Sequence, residues 1–297
     1  MKFAVVCASG IGDALLMLIA SNHLQKLQVE ITTFSNHLPS LQEWFPQFQF
    51  SLQPPLDQIE SIFAPFDAIV LQHDNTPKAK LIRQLRKPVY TLYGSHLTSK
   101  HGPLRPYLDV RFNPTLCMAE NIRQASQTLF PARAALENGL TPLPHLIHRK
   151  YSKRVAIHPT SAVPSKNWMK ASFLELRNTL AKNGWDPVFV TAPGDAKQWG
   201  SPLFPTLSEL AAFLYESAFF IGNDSGPGHL ASNLDLKTLI IGPSQKHLTL
   251  WRPGWYPGAI AHPPNWIEQF KLAKENWRYF ISVSNVFKQF KKLTDIK

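Results

Sequence analysis

The segment Gly222-Asn-Asp-Ser-Gly-Pro-Gly-His-Leu-Ala231 follows the apolar residues 218–221 and opens a run of small residues. That succession reads as strand, tight turn and helix N-terminus. Asp224 or Ser225 suits the cap position, and Pro227 suits the first turn, where a missing N–H costs nothing. The N–H groups around Ser225, Gly226 and Gly228 then face whatever lies in front, and neither glycine holds a ligand off. With the positive end of the helix dipole behind them, such a turn binds phosphate or diphosphate. His229, one turn in, adds a donor. A plain capped strand-to-helix connection would use the same residue types, so the neighbouring loops decide between the two.

Three other loops carry chemistry. Ser9-Gly-Ile-Gly-Asp13 follows the first β-rich run. Gly10 and Gly12 admit close approach to the backbone, and Asp13 adds a carboxylate that is either a general base or the N-cap of the next helix. The third glycine of a dinucleotide fingerprint is absent, because Leu15 stands there. A helix N-terminus lowers carboxylate basicity, so a base at Asp13 needs a partly desolvated setting. The loop His158-Pro-Thr-Ser-Ala-Val-Pro-Ser-Lys-Asn-Trp168 offers the hydroxyls of Thr160, Ser161 and Ser165 and the cation of Lys166. Alone Lys166 is a surface lysine; beside residues 226–229 it is a candidate for neutralising a leaving diphosphate. In Thr191-Ala-Pro-Gly-Asp195, the Asp195 carboxylate suits ribose hydroxyls or simply a turn.

Strand-like runs over residues 2–8, 29–34, 66–71 and 88–93 alternate with helical runs over 14–27, 77–87 and 117–129. The alternation restarts with strands over 155–158, 187–191, 218–221 and 238–242 and helices over 171–183, 207–215 and 228–233. Residues 251–266, rich in Pro and Trp, read as irregular, and a short helix begins near Ser282. A Pro-rich polar break over 139–154 reads as a linker. The expected organisation is α/β: a domain over residues 1–145, a second over 154–280 and a C-terminal helix over 281–297. Two doubly wound domains place a ligand in the cleft between them, at the carboxyl ends of the strands.

The chain has 297 residues, 44 % of them hydrophobic, which is core material for two ordinary domains. Cys7 and Cys117 lack metal-type spacing and suit a reduced cytoplasmic protein. Asp13 interrupts an N-terminus that otherwise starts like a signal peptide, and no apolar run of about 18 residues exists to span a bilayer. The eleven histidines form no HExxH pair, so neither metal nor cofactor is expected. Walker A and G-x-S-x-G patterns are absent, as are nucleic-acid-binding modules. The net charge of +11 concentrates over residues 78–111 and 271–297, which points to an anionic small molecule or lipid surface.

Residues Gly10-Ile-Gly-Asp13-Ala-Leu, Pro164-Ser-Lys166-Asn-Trp168, Ala192-Pro193, the 222–231 segment and Ile241-Gly-Pro-Ser244 with Trp251 resemble the lipopolysaccharide heptosyltransferases of glycosyltransferase family 9. The resemblance implies a GT-B fold, with two Rossmann-like domains facing across a cleft and the donor held by the second. It implies inverting, metal-independent transfer of heptose from ADP-heptose to a lipopolysaccharide core or related anionic glycolipid at the cytoplasmic face of the inner membrane. Asp13 then matches the family's base and Lys166 its phosphate-binding lysine. Thr160, Ser161 and residues 225–229 match its diphosphate contacts, and Asp195 falls where the family has a ribose-binding Glu. Against the family, Gly228 replaces Met, and the chain is shorter than typical members, with the difference in the first domain. The competing readings are a transferase with another nucleotide-sugar donor and a non-catalytic nucleotide-sugar-binding protein at the membrane surface.

Overall fold

The computed structural model describes residues 1–73, 75–94, 103–270 and 274–295. The chain divides into two compact units, Met1–Thr141 and Pro142–Lys297. The division falls at residues 141/142, inside the Pro-rich break read over 139–154, and the first strand of the second unit starts at Tyr151, before the end of that break.

In the first unit the strands are β1 (Lys2–Val6), β2 (Glu30–Phe34), β3 (Gln49–Ser51), β4 (Ala68–His73), β5 (Val89–Tyr93) and β6 (Asp109–Arg111). They form one parallel sheet in the order β3-β2-β1-β4-β5-β6, the doubly wound order of dinucleotide-binding folds. All six residues of β4 are buried, as expected of a parallel strand covered on both faces. The helices are α1 (Ile11–Lys26), α2 (Ile59–Phe63), α3 (Pro77–Arg83) and α4 (Met118–Leu129). Helix α1 is buried from Ala14 to Leu24. Its polar members are satisfied: Ser21 pairs with Thr33, Asn22 donates to the Glu137 carbonyl and His23 to the Phe130 carbonyl.

In the second unit β7 (Tyr151–His158), β8 (Asp186–Phe189), β9 (Ser217–Asn223), β10 (Lys237–Ile241) and β11 (Gly258–Ala261) form a parallel sheet in the order β11-β10-β9-β7-β8. This is the flavodoxin-like order of doubly wound sheets. The helices are α5 (Lys170–Lys182), α6 (Ala196–Trp199), α7 (Leu207–Tyr215), α8 (Gly226–Asn233), α9 (Gln245–Trp251) and α10 (Val283–Thr294). Helix α10 is not an appendage. Its Val283, Val286, Phe290 and Leu293 join the core with Phe173, Leu176 and Leu180 of α5.

Several elements depart from the sequence reading. Residues 251–266 are not wholly irregular, since β11 pairs in parallel with β10 there, Thr238 opposite Gly258 through Ile241 opposite Ala261. Four residues between prolines carry no readable periodicity, and the neighbouring strand defines the element. Helix α3 stops at Arg83, short of residue 87. Helix α1 begins at Ile11 with Gly10 as its N-cap, so Asp13 is not the cap but the third helical residue.

Candidate active site

In a doubly wound sheet the crevice lies at the carboxyl ends of the two strands from which the chain winds in opposite directions. In the first unit those strands are β1 and β4, and Asp13 lies in the first turn of the helix that follows β1. Gln72, on β4, accepts from the Ala8 N–H through Oε1 (3.1 Å) and donates through Nε2 to Asp13 Oδ1 (2.8 Å). One amide thus fixes the carboxylate against both strand ends. The other carboxylate oxygen reaches back over Gly10, where a Cβ would sit 2.7 Å from it, so a larger residue there would displace the carboxylate. Gly12, next in the turn, is buried. Burial, and secondarily the Asp13 charge, pushes the Cys7 thiol well above its ordinary pKa, so Cys7 is an inert neighbour.

A pocket of about 310 Å3 opens at the same strand ends, lined among others by Ser9, Gln53, Gln72, Thr76 and Lys78. Gln53 donates to the Cys7 carbonyl (2.7 Å) and accepts from Lys78 Nζ (3.0 Å). The lysine therefore stands at the pocket with a neutral amide as its hydrogen-bond partner.

Three other cations of the 78–111 stretch serve the fold. Arg83 and Arg105 bind the buried Asp109 carboxylate at 2.8 and 2.9 Å. Burial alone would raise the Asp109 pKa, yet these bonds hold it below the ordinary carboxylate value. Lys87 donates to the carbonyls of Phe63, Ala64 and Phe66. Lys100, Lys271 and Lys297 of the two basic stretches lie outside the described residues.

In the second unit the corresponding strands are β7 and β9. Asn223 at the end of β9 ties the two loops together, accepting from the Trp168 N–H (2.9 Å) and donating to the Pro159 carbonyl (2.8 Å). Gly222 permits the approach: a Cβ there would meet the His158 carbonyl oxygen at 2.9 Å. The next residue, Asp224, has a nearly buried side chain. Its Oδ2 lies 2.8 Å from His247 Nε2 and 3.5 Å from Lys166 Nζ. Burial would raise the Asp224 pKa. The His247 hydrogen bond and the charges of His247, Lys166 and His229 nevertheless hold it below the ordinary value. Asp224 is therefore a carboxylate that gathers the Lys166 ammonium and the His247 ring at the mouth of α8. His247 comes from α9, where the Ser244 hydroxyl caps the helix.

Ser225 occupies the N-cap position of α8, but its side chain does not cap; its hydroxyl donates to the Asn223 carbonyl (3.2 Å). The Gly228 N–H, expected to be open, bonds to the Ser225 carbonyl (3.1 Å). Pro227 has no N–H, so Gly226 retains the outward donor of this turn. His229 is buried rather than an exposed donor. Burial first of all lowers its pKa, partly offset by Asp224 and a backbone bond at Trp251, and its Nδ1 has no hydrogen-bond partner among the described residues.

Beside this cluster lies a pocket of about 460 Å3. Thr160, Ser161, Ala192, Pro193, Asp195 and Pro227 line it, so six of the residues singled out in the sequence converge there. Lys166 and Ser165 sit on the adjacent exposed turn, and Ser161 is committed to that turn through bonds to the Val163 carbonyl and Asn167. His158 is held by the Val190 carbonyl (2.7 Å), and burial lowers its pKa despite the Asp195 charge. Sequence reading missed the opposite wall, Phe204 to Leu210, and Thr191, whose buried hydroxyl has no partner among the described residues. The capping box of Thr206 and Glu209 was the available signal for that wall. Among the described residues no three His, Cys, Asp or Glu side chains converge as a metal site would require.

With this geometry in hand, the chain can be set against known proteins. The family model of glycosyltransferase family 9 (heptosyltransferase) matches residues 113–250, a stretch that holds Lys166, Asp195, Asp224 and His247 but not Asp13. A comparison with curated proteins finds no match. Among solved structures the chain is similar to a glycosyltransferase family 9 protein from Veillonella parvula, with TM-score 0.74 and 19 % identity over 98 % of this chain and 96 % of that one. It is also similar to Escherichia coli ADP-heptose lipopolysaccharide heptosyltransferase II, with TM-score 0.70 and 14 % identity over 99 % and 98 %. The E. coli heptosyltransferase WaaC with ADP gives TM-score 0.69 and 15 % identity over 99 % and 100 %. These likenesses establish the GT-B fold. They run nearly end to end, so the first unit carries the same topology despite the shortness expected from sequence.

Proposed function

We propose that this chain, whose residues 113–250 match the family model of glycosyltransferase family 9, transfers heptose from ADP-heptose to an anionic glycolipid of the lipopolysaccharide-core type, with inversion. The observation that carries this reading is the Lys166–Asp224–His247 cluster at the start of α8, beside a pocket lined by Thr191, whose hydroxyl has no partner among the described residues. The pocket takes the nucleoside, with Thr191 and Asp195 available to its hydroxyls. The Gly226 N–H, Lys166 and His247 face the diphosphate. ADP is favoured over other nucleotides because one of the similar structures holds ADP and another is named for ADP-heptose.

In the reaction the acceptor hydroxyl oxygen attacks the anomeric carbon while Asp13 takes its proton. The bond from that carbon to the diphosphate oxygen breaks with its electron pair, and ADP leaves as an anion. Base assistance of this kind is worth about 10²–10⁴-fold. A well-aimed donor at the departing charge adds roughly 10²–10³-fold. Lys166 and the α8 terminus supply that charge stabilisation in this reading, which needs no metal. In the first unit, Lys78 at the 310 Å3 pocket suits a carboxylate or phosphate of the acceptor.

Thermal melts with ADP, UDP, GDP and CDP, followed by turnover of ADP-heptose, test the reading. Selective stabilisation by ADP is expected, and preference for another nucleotide would discard heptose while keeping the transferase. Asp13→Asn should lower turnover by about 10² or more with ADP stabilisation unchanged. Equal turnover would remove Asp13 from the chemistry.

A further inference from the structure

Four large aromatic side chains stand out of the second unit within a short stretch: Trp266 is 53 % exposed, Phe270 57 %, Tyr279 65 % and Phe280 40 %. They are not loose ends. Ile267 and Trp277, in the same stretch, are 1 % and 4 % exposed and are anchored in the interior. The backbone is thus pinned by one set of side chains while a second set is turned outward. Three of the outward rings form a cluster of their own. Trp266 packs edge-on against both Phe270 and Phe280, with ring centroids 6.2 and 6.0 Å apart. Folding does not need these rings in water, where their exposed apolar area is unfavourable, and contiguous exposed patches of this kind mark an interaction surface.

The surrounding charge says what the partner is. Lys274 and Arg278 lie within the stretch, and α10, which follows it, exposes Lys288, Lys291 and Lys292 on the face opposite its buried Val283, Val286, Phe290 and Leu293. The opposing acids of this region are Glu268, Glu275 and Asp295, so over residues 266–295 the sequence holds six Lys or Arg against three acids. Two copies joined through this face would bring like charges together, so a second copy of the chain is a poor occupant. Rings of Trp, Tyr and Phe beside Lys and Arg suit a lipid headgroup layer instead. There the apolar ring bodies insert, the polar tips stay wet and the cations meet anionic headgroups. Shallow insertion plus a basic flank supplies the two signals that peripheral membrane binding requires.

We propose that the aromatic cluster of Trp266, Phe270 and Phe280, with the exposed Tyr279 next to it in the chain and its basic flank, seats the second unit on an anionic lipid bilayer. The proposal extends the glycolipid-acceptor reading above but is measured separately from it. The experiment is flotation of the full-length protein with phosphatidylcholine vesicles, with and without phosphatidylglycerol, at low and high salt. Binding is expected to need phosphatidylglycerol and to weaken with salt. Trp266→Ala/Phe270→Ala/Phe280→Ala should lower partitioning about tenfold or more. Lys274→Glu/Arg278→Glu should lower it about fivefold or more per charge. ADP-induced stabilisation, measured on the same variants, should stay at the wild-type level, which establishes that they are folded. Wild-type protein that stays unbound, or aromatic variants that float like wild type, would overturn the proposal. So would light scattering that reveals an oligomer dissolved by the aromatic substitutions, since that would assign the face to contacts between copies. If ADP fails to stabilise the wild type while flotation behaves as expected, the donor reading falls and the membrane surface stands.

Discussion

At the scale of single residues, the candidate site is organised around one carboxylate. Asp224 has Lys166 and His247 on the same oxygen, and its ionised form is favoured even though burial opposes it. A carboxyl whose folded pKa lies below its unfolded value contributes stability that is full above the ordinary carboxylate range. That contribution is lost as pH falls through the lowered folded value. The Asp224→Asn variant should therefore be about 1–3 kcal/mol less stable near neutral pH and should lose less further stability on acidification than the wild type. Urea melts at neutral and acid pH read both quantities, and parallel acid slopes in the two proteins would deny Asp224 this role. The sequence made Lys166 and Asp224 legible, since both sit in loops whose residue types suit phosphate. His247 was not legible. A lone histidine 23 residues beyond Asp224 acquires meaning only when β10 brings the start of α9 to the end of β9.

At the scale of elements, the turn after β9 works because Gly222 and Asn223 make the ends of β7 and β9 converge. Asn223 supplies hydrogen bonds to the loop of its neighbour, and Gly222 supplies the space for that strand's backbone. A Cβ at 222 would press on a backbone oxygen at 2.9 Å and on the Phe220 ring at 3.0 Å. Neither neighbour can yield cheaply, because one is main chain and the other is a fully buried ring. Gly222→Ala should cost about 1–3 kcal/mol in denaturant unfolding, and it should also weaken ADP stabilisation, since the shifted strand end carries Asp224. An alanine variant with wild-type stability and ADP response would show that the close approach has slack. The long elements here, β7, β9 and α5, were visible because runs of Val, Ile, Leu and Phe repeat over enough residues. The short edge strands β3, β6 and β11 were not, since three or four residues hold no period and their pairing partners define them.

At the scale of the whole molecule, each unit uses a different common order of the doubly wound sheet, and each puts its chemistry where the winding reverses. Asp13 lies at the β1/β4 end in one unit, and Asp224 with Lys166 at the β7/β9 end in the other. Alternating strands and helices made the two sheets foreseeable, and the placement of these residues followed from the loops they occupy. The exact strand orders did not follow, because order depends on which crossover packs over which face. The proposed function places nucleotide binding in the second unit. By titration calorimetry, Lys166→Ala and His247→Ala should each weaken ADP binding about tenfold, the loss expected for a hydrogen bond to a charged group. Asp13→Asn and Lys78→Ala, in the first unit, should leave ADP affinity within about twofold, because neither side chain belongs to the nucleotide pocket or its charge cluster. The net charge of +11 adds a second signature: ADP binding to the wild type should weaken as salt is raised, and less steeply in Lys166→Ala. An Asp13 or Lys78 substitution that weakens ADP as strongly as Lys166→Ala would mean that the first unit also holds the donor. The separation of base from nucleotide site would then have to be abandoned.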